Sequence, residues 1–173
     1  MKEYEIRDSL GDPKKVAISA DTSPINRRHP KMFRVKCTGK YKPTRGSEGA
    51  AGFDLYNNGG QVIVGKGLAT KVHTGCHFEI PEGYVGLLFV RSSIGVKRLI
   101  TLANGTGIID SDYRGEVLAM VQYNGPNKYV TIEEGERFAQ LVVVPYAHLG
   151  MRFVDELDET TRGEGGFGST GTK

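Results

Sequence analysis

The stretch Leu102-Ala-Asn-Gly-Thr-Gly-Ile-Ile-Asp-Ser-Asp-Tyr-Arg-Gly-Glu-Val117 decides how the rest of the chain is read. Two consecutive β-branched residues, Ile108 and Ile109, run straight into the Asp110-Ser111-Asp112-Tyr113 turn. Such residues suit a pleated surface, while Asp, Ser and Gly bond locally or accept unusual φ and so reverse the chain. A hairpin is the natural reading.

The same grammar recurs on both sides. Eight short runs of β type are expected, at Phe33 to Cys37, Gln61 to Val64, Leu68 to Val72, His77 to Ile80, Val85 to Val90, Val117 to Tyr123, Tyr129 to Ile132 and Phe138 to Val144. Between them stand turn sequences such as Asn57-Asn58-Gly59-Gly60 and Pro81-Glu82-Gly83. No segment has the period of a long amphipathic helix; only Ser92 to Leu99 suits a short one, with Ser92 or Ser93 as N-cap. The pattern predicts an all-β sandwich or jelly roll.

Composition agrees. A chain of 173 residues fits one domain, and 38% apolar residues, no Trp and 24 Gly favour short strands and tight turns. The net charge of +3 from 23 basic and 20 acidic residues implies no nucleic-acid groove. Two cysteines, Cys37 and Cys76, lack disulfide-framework or zinc spacing and are read as ordinary reduced residues. Without a signal-like apolar region or an apolar span of about 18 residues, the chain is expected to be soluble, cytoplasmic and free of membrane contact. Three regions follow: a polar arm at 1–31, a core at 32–161 and a glycine-rich tail at 162–173. Five glycines in that tail forbid regular structure, so it is expected to stay mobile until ordered.

Five stretches carry chemical groups. Asp54, between Phe53 and Leu55, is either a turn-capping carboxylate or a catalytic one. Arg91-Ser92-Ser93 ends a strand with a planar guanidinium fork and two hydroxyls, which suits phosphate or simple capping. In the opening stretch, Asn104 offers the donor and acceptor that read a pyrimidine edge, backbone amides near Gly105 and Gly107 add to it, and Tyr113 has a face for a sugar. Asp110 and Asp112 equally suit turn capping. In Glu136-Arg-Phe-Ala-Gln-Leu141, Arg137 and Gln140 cannot share a face of a regular strand, so a bulge or a split role is implied. The last, Arg162-Gly-Glu-Gly-Gly-Phe-Gly-Ser-Thr-Gly171, has the composition of a phosphate loop without the Lys or the strand-to-helix setting of one.

In order and spacing these stretches resemble the homotrimeric dUTP pyrophosphatases, the dUTPases, from about Lys40 to Gly171; residues 1–31 find no counterpart. The resemblance implies a β jelly roll, a homotrimer with shared sites, and Mg²⁺-dependent hydrolysis of dUTP to dUMP and pyrophosphate, limiting uracil in DNA and supplying dUMP. It further implies that Asn104, Gly107 and the backbone up to Ile109 read uracil, that Tyr113 packs on deoxyribose, and that Asp110 orients and deprotonates the water. Arg91, Ser92 and Ser93 would grip phosphate, Gln140 an α-phosphate oxygen, and Arg137 would support the site. Asp54 would reach Mg²⁺ through water, the ion being held by phosphates without a direct protein ligand. The tail would cross to a neighbouring subunit as a lid, with Phe167 over uracil, Arg162 on the γ-phosphate, Gly168 allowing close approach, and Ser169 and Thr170 donating hydroxyls. Two departures, Val90 where the family often has Pro and Ser93-Ile-Gly-Val after the Arg-Ser, touch the turn's geometry and leave the phosphate groups in place.

Two rivals follow from the same residues. A dCTP deaminase would share the fold but needs a glutamate whose place aligns with Val121, and an Arg whose place is held by Val96. A nucleotide-sensing regulatory module would use residues 1–31 on a partner and would have no need of Asp110.

Overall fold

The computed structural model describes residues 2–7, 13–18 and 32–166. The chain divides into two units, Met1–Arg34 and Val35–Lys173. In the first, strands β1 (Lys2–Arg7) and β2 (Pro13–Ile18) pair antiparallel, with Lys2 opposite Ile18 and Arg7 opposite Pro13. The polar sequence of this arm does not predict these strands.

The rest is the expected all-β jelly roll. Its strands are β3 (Arg34–Cys37), β4 (Gly52–Tyr56), β5 (Val62–Gly65), β6 (Thr70–His73), β7 (Cys76–Glu79), β8 (Tyr84–Val90), β9 (Ile100–Leu102), β10 (Gly107–Ile109), β11 (Leu118–Tyr123), β12 (Tyr129–Ile132) and β13 (Arg137–Pro145). They form a four-stranded sheet β10-β8-β13-β4, a three-stranded sheet β6-β11-β9, and the pairs β12-β5 and β3-β7. Alternation drives the layering: in β11, Ala119, Val121 and Tyr123 are buried while Leu118 and Met120 are not. Leu55, Val64, Val72, Phe78, Leu88, Ile100, Ile132, Phe138 and Leu141 complete a core with almost no solvent contact. No helix among the described residues is long and apolar enough to cross a membrane.

Three differences from the sequence reading have physical causes. β4, β9 and β10 escape it as separate strands because each is short and flanked by glycine or polar residues. The hairpin around Asp110 is wider than its turn. Its arms β9 and β11 pair with Leu102 opposite Val121, but the connection leaves their sheet and lays β10 against β8, with Ile109 opposite Gly86. The short helix is one π-helical turn, Ser93–Lys97, and Ser92 precedes it in α conformation without a side-chain cap.

The turn at 57–60 shows how polar groups are used inside. Asn57 is wholly buried, and its side-chain amide donates to the carbonyls of Gly60 at 2.5 Å and Ile132 at 3.1 Å while its oxygen accepts from Gly59 N–H at 3.0 Å. A buried amide is tolerated because it is fully paired. Cys37 and Cys76, distant in sequence, lie on paired strands with sulfurs 3.9 Å apart as free thiols. Burial, reinforced by Cys37, pushes the Cys76 thiol up to about 12.

Candidate active site

One group of side chains is built on β4, β8 and β13. The register of β13 shifts between Arg137 and Ala139, pairing Arg137 with Tyr56 and Gln140 with Asp54. Tyr56 and Asp54 share a face of β4, so the bulge puts Arg137 and Gln140 on that face too, and the adjacent Phe138 and Ala139 both turn inward. This resolves the conflict seen in the sequence. Asp54, 8% exposed, accepts from Arg91 Nε at 3.0 Å through one oxygen and from Arg137 Nη1 at 3.2 Å through the other. Arg91 is fixed at its base by its N–H to the Phe138 carbonyl, 3.0 Å. Each carboxylate oxygen keeps a further lone-pair direction for water. Ser92 and Ser93 follow on the surface, both exposed.

A second group surrounds a cavity of about 240 Å³ lined by both apolar and polar side chains, among them Leu88, Asn104, Ile109, Asp110, Tyr113 and Glu116. Gly105, at φ 73°, turns the chain after Asn104 in a conformation that disfavours any side chain. Gly107 lies against Leu88, whose Cβ would stand 3.0 Å from a Cβ placed there. The Asp110 turn closes through backbone, Tyr113 N–H to Asp110 carbonyl at 3.2 Å. Tyr113 lies across Gly115, where a Cβ would collide with its ring, and its hydroxyl donates to the Glu116 carbonyl at 2.9 Å.

Glu116 is not singled out by the sequence, although it closes the Tyr113-Arg-Gly-Glu116 run that follows Asp110-Ser111-Asp112. Its carboxylate accepts from Gly75 N–H at 2.7 Å and pairs with His73 Nδ1 at 3.1 Å. Burial alone would raise its carboxyl; the hydrogen bonds from Gly75 and His73 and the charges of His73 and His77 outweigh that and hold it below the usual value. Leu88, Leu118 and Met120 also line the cavity unforeseen, because a lining apolar residue has no chemical signature in sequence.

Of the residues expected at the site, Asn104, Gly107, Ile109, Asp110 and Tyr113 thus meet around the cavity, and Asp54, Arg91, Arg137 and Gln140 are brought together by β4, β8 and β13. The second set contributes nothing to the cavity wall. Arg162 is exposed and bonds within its own turn, Nε to the Gly165 carbonyl at 2.9 Å. Phe167, Gly168, Ser169 and Thr170 lie outside the described residues. No cluster of three or more His, Cys, Asp or Glu among the described residues is placed to hold a metal.

Comparison with known proteins identifies the family. The dUTPase family profile matches residues 40–171. The deoxyuridine 5'-triphosphate nucleotidohydrolase of Escherichia phage T5 is 45% identical over 150 residues, covering 82% of this chain and 100% of that protein. That of Hahella chejuensis is 42% identical over 133 residues, covering 76% and 87%. Among solved structures, the dUTPase of Staphylococcus bacteriophage 80alpha with dUPNHPP is similar with a TM-score of 0.74 and 29% identity, over 82% of this chain and 99% of that one. A variant of the phage phi11 dUTPase, described as showing the coordination of a structural Mg(II) ion, is similar with a TM-score of 0.65 and 26% identity, over 73% and 98%. With most of its length matched, and with relatives above 40% identity, the chain belongs to the dUTPase family.

Proposed function

We propose that this chain hydrolyses dUTP to dUMP and pyrophosphate by attack of water on the α-phosphorus, with the cavity beside β10 taking the nucleoside. The observation that carries the reading is the single wall joining Asn104, Gly107, Ile109, Asp110 and Tyr113. Asn104 and neighbouring backbone groups pair with the uracil edge, so that cytosine, with a donor where uracil has an acceptor, leaves polar groups mispaired. The Tyr113 ring packs on deoxyribose and excludes a 2'-hydroxyl. Asp110 holds the water and takes its proton as the new phosphorus–oxygen bond forms and the bond to the leaving pyrophosphate breaks.

Arg91, Ser92 and Ser93 grip the phosphates and offset charge building on the leaving oxygens; Gln140 binds an α-phosphate oxygen and Arg137 supports the site. Mg²⁺, which neutralises phosphate charge, fits as a water-separated neighbour of Asp54. Both Asp54 oxygens already accept from arginines and retain room for water, a donor set suited to an ion that keeps several waters. The phi11 relative's described Mg(II) supports a role for the ion. Since the two groups occupy separate surfaces of one chain, the complete site is proposed to form between copies in a homotrimer. The tail then closes it, with Arg162 on the γ-phosphate, Phe167 over uracil and Gly168, Ser169 and Thr170 along the phosphates.

Hydrolysis is favoured over deamination because the glutamate that a deaminase needs aligns with Val121, and Glu116, the glutamate on the cavity wall, has both oxygens already engaged by His73 and Gly75. Incubation with dUTP, dCTP, dTTP and UTP in the presence of Mg²⁺ should release pyrophosphate from dUTP alone. Ammonia from dCTP, or equal rates on all four, would overturn the assignment.

A further inference from the structure

The cavity wall carrying Tyr113 is not free-standing. Five consecutive residues, His73 to His77, hold the segment 114–117 through successive hydrogen bonds. His73 Nδ1 pairs with the Glu116 carboxylate, and the Thr74 hydroxyl donates to the Val117 carbonyl at 2.6 Å. Gly75 N–H donates to the other Glu116 oxygen, Val117 N–H donates to the Cys76 carbonyl at 2.8 Å, and His77 Nδ1 bonds the Arg114 carbonyl at 3.0 Å. Four of these five attachments involve backbone of one side or the other. Glu116 alone spans two of them with its side chain, and its own carbonyl is where the Tyr113 hydroxyl ends.

We propose that Glu116 is a positioning residue for sugar selection: by fixing its own backbone to Gly75 and His73 it sets the distance at which the Tyr113 ring meets the sugar. This rests on the reading of Tyr113 as the deoxyribose platform. Steric exclusion of one hydroxyl requires a wall that does not yield by the size of an oxygen atom. Tyr113 is 42% exposed, so packing does not immobilise its ring. Its anchor is the hydroxyl bond to Glu116, and Gly115 removes the side chain that would otherwise keep the ring off the segment. Truncating Glu116 leaves Gly75 N–H without its partner and releases His73, so the peptide whose carbonyl receives Tyr113 loses its side-chain brace and is held there by the Val117 N–H bond to Cys76. The base-reading end is held elsewhere, Gly107 by the β10–β8 ladder and Asn104 by its own turn, where Thr106 N–H donates to the Asn104 carbonyl at 2.8 Å.

The test is calorimetric binding of non-hydrolysable imido analogues of dUTP, UTP and dTTP to the whole chain. Glu116→Ala should reduce the deoxyribose-over-ribose preference by roughly tenfold while leaving the uracil-over-thymine preference intact. Glu116→Gln should restore it, because the amide oxygen still accepts from Gly75 and the amide N–H meets the other tautomer of His73. Tyr113→Phe should lower the preference similarly, and adding Glu116→Ala to it should cost little more, since both remove one linkage. A lowered melting temperature with unchanged sugar preference, or equal loss of sugar and base preference, would overturn the proposal. Should Glu116→Ala fail to fold, Tyr113→Phe alone severs the bond to the Glu116 carbonyl, and an unaltered preference in that variant likewise refutes it. Hydrolysis of dUTP by the unaltered protein, measured alongside, tests the family reaction separately.

Discussion

Asp110 terminates β10 with its side chain spared from structural duty, because the following turn closes through its carbonyl and not its carboxylate. Turn capping, the competing explanation for an aspartate in such a sequence, is therefore met by backbone. Asp110→Asn keeps the shape and the turn, so nucleotide binding should persist while turnover falls by about 10² to 10⁴, the scale of a lost general base. Single-turnover rates beside calorimetric affinities check this, and unchanged turnover removes Asp110 from the role. At Glu116 the folded carboxyl titrates below its ordinary value of 4.5. Its ionised form thus contributes stability that is fully present above that value and is lost as pH falls through the folded one. Melting temperatures taken between pH 6 and pH 3 should decline more steeply for the natural chain than for Glu116→Gln; parallel curves would contradict the assignment.

At the scale of elements, two departures from regular strands shape the site. The bulge in β13 lets one strand send Phe138 and Ala139 to the core while Arg137 and Gln140 share the face of Asp54. Its need was legible, since Arg-Phe-Ala-Gln places polar residues three apart; which carboxylate the two would meet was not, because β4 is eighty-odd residues earlier and pairs only in the fold. The second departure is β10, whose Gly107 permits close contact with Leu88. Gly107→Ala forces the strands apart or bends them, at about 1–3 kcal/mol, the usual range for overpacking. Urea midpoints should fall accordingly, and the KM for dUTP should rise because β10 forms the cavity wall. A variant with normal stability and KM would show that this approach carries no constraint.

Across the whole molecule, residues beyond β13 stand apart from the core: between 146 and 166 there is no strand, and Leu149, Met151, Phe153 and Leu157 are each more than four-fifths exposed. An isolated chain gains nothing from such exposure. If the tail closes over the triphosphate as proposed, removing residues 162–173 should leave circular dichroism and the mass measured by light scattering close to those expected for a shortened trimer, while hydrolysis drops sharply. Near-normal rates would leave the tail outside catalysis. Light scattering on the full chain tests the proposed trimer itself, for which the physical argument is that the cavity wall includes none of Asp54, Arg91, Arg137 and Gln140, the groups proposed to serve the phosphates.

The sequence by itself determined the class of fold and the chemical inventory, because alternation, turn residues and the ordered stretches around Asp54, Arg91, Asp110 and Gln140 are local and written in neighbouring letters. It also carried the family. Only the tertiary structure decided that β10 leaves the β9–β11 hairpin for another sheet, that Arg91 and Arg137 share one carboxylate, and that Cys37 and Cys76 are neighbours. It likewise revealed that His73 to His77 hold the wall behind Tyr113. Each of these depends on pairing between strands far apart in sequence, and register across such distances is fixed by the packing of the finished core, not by any local preference.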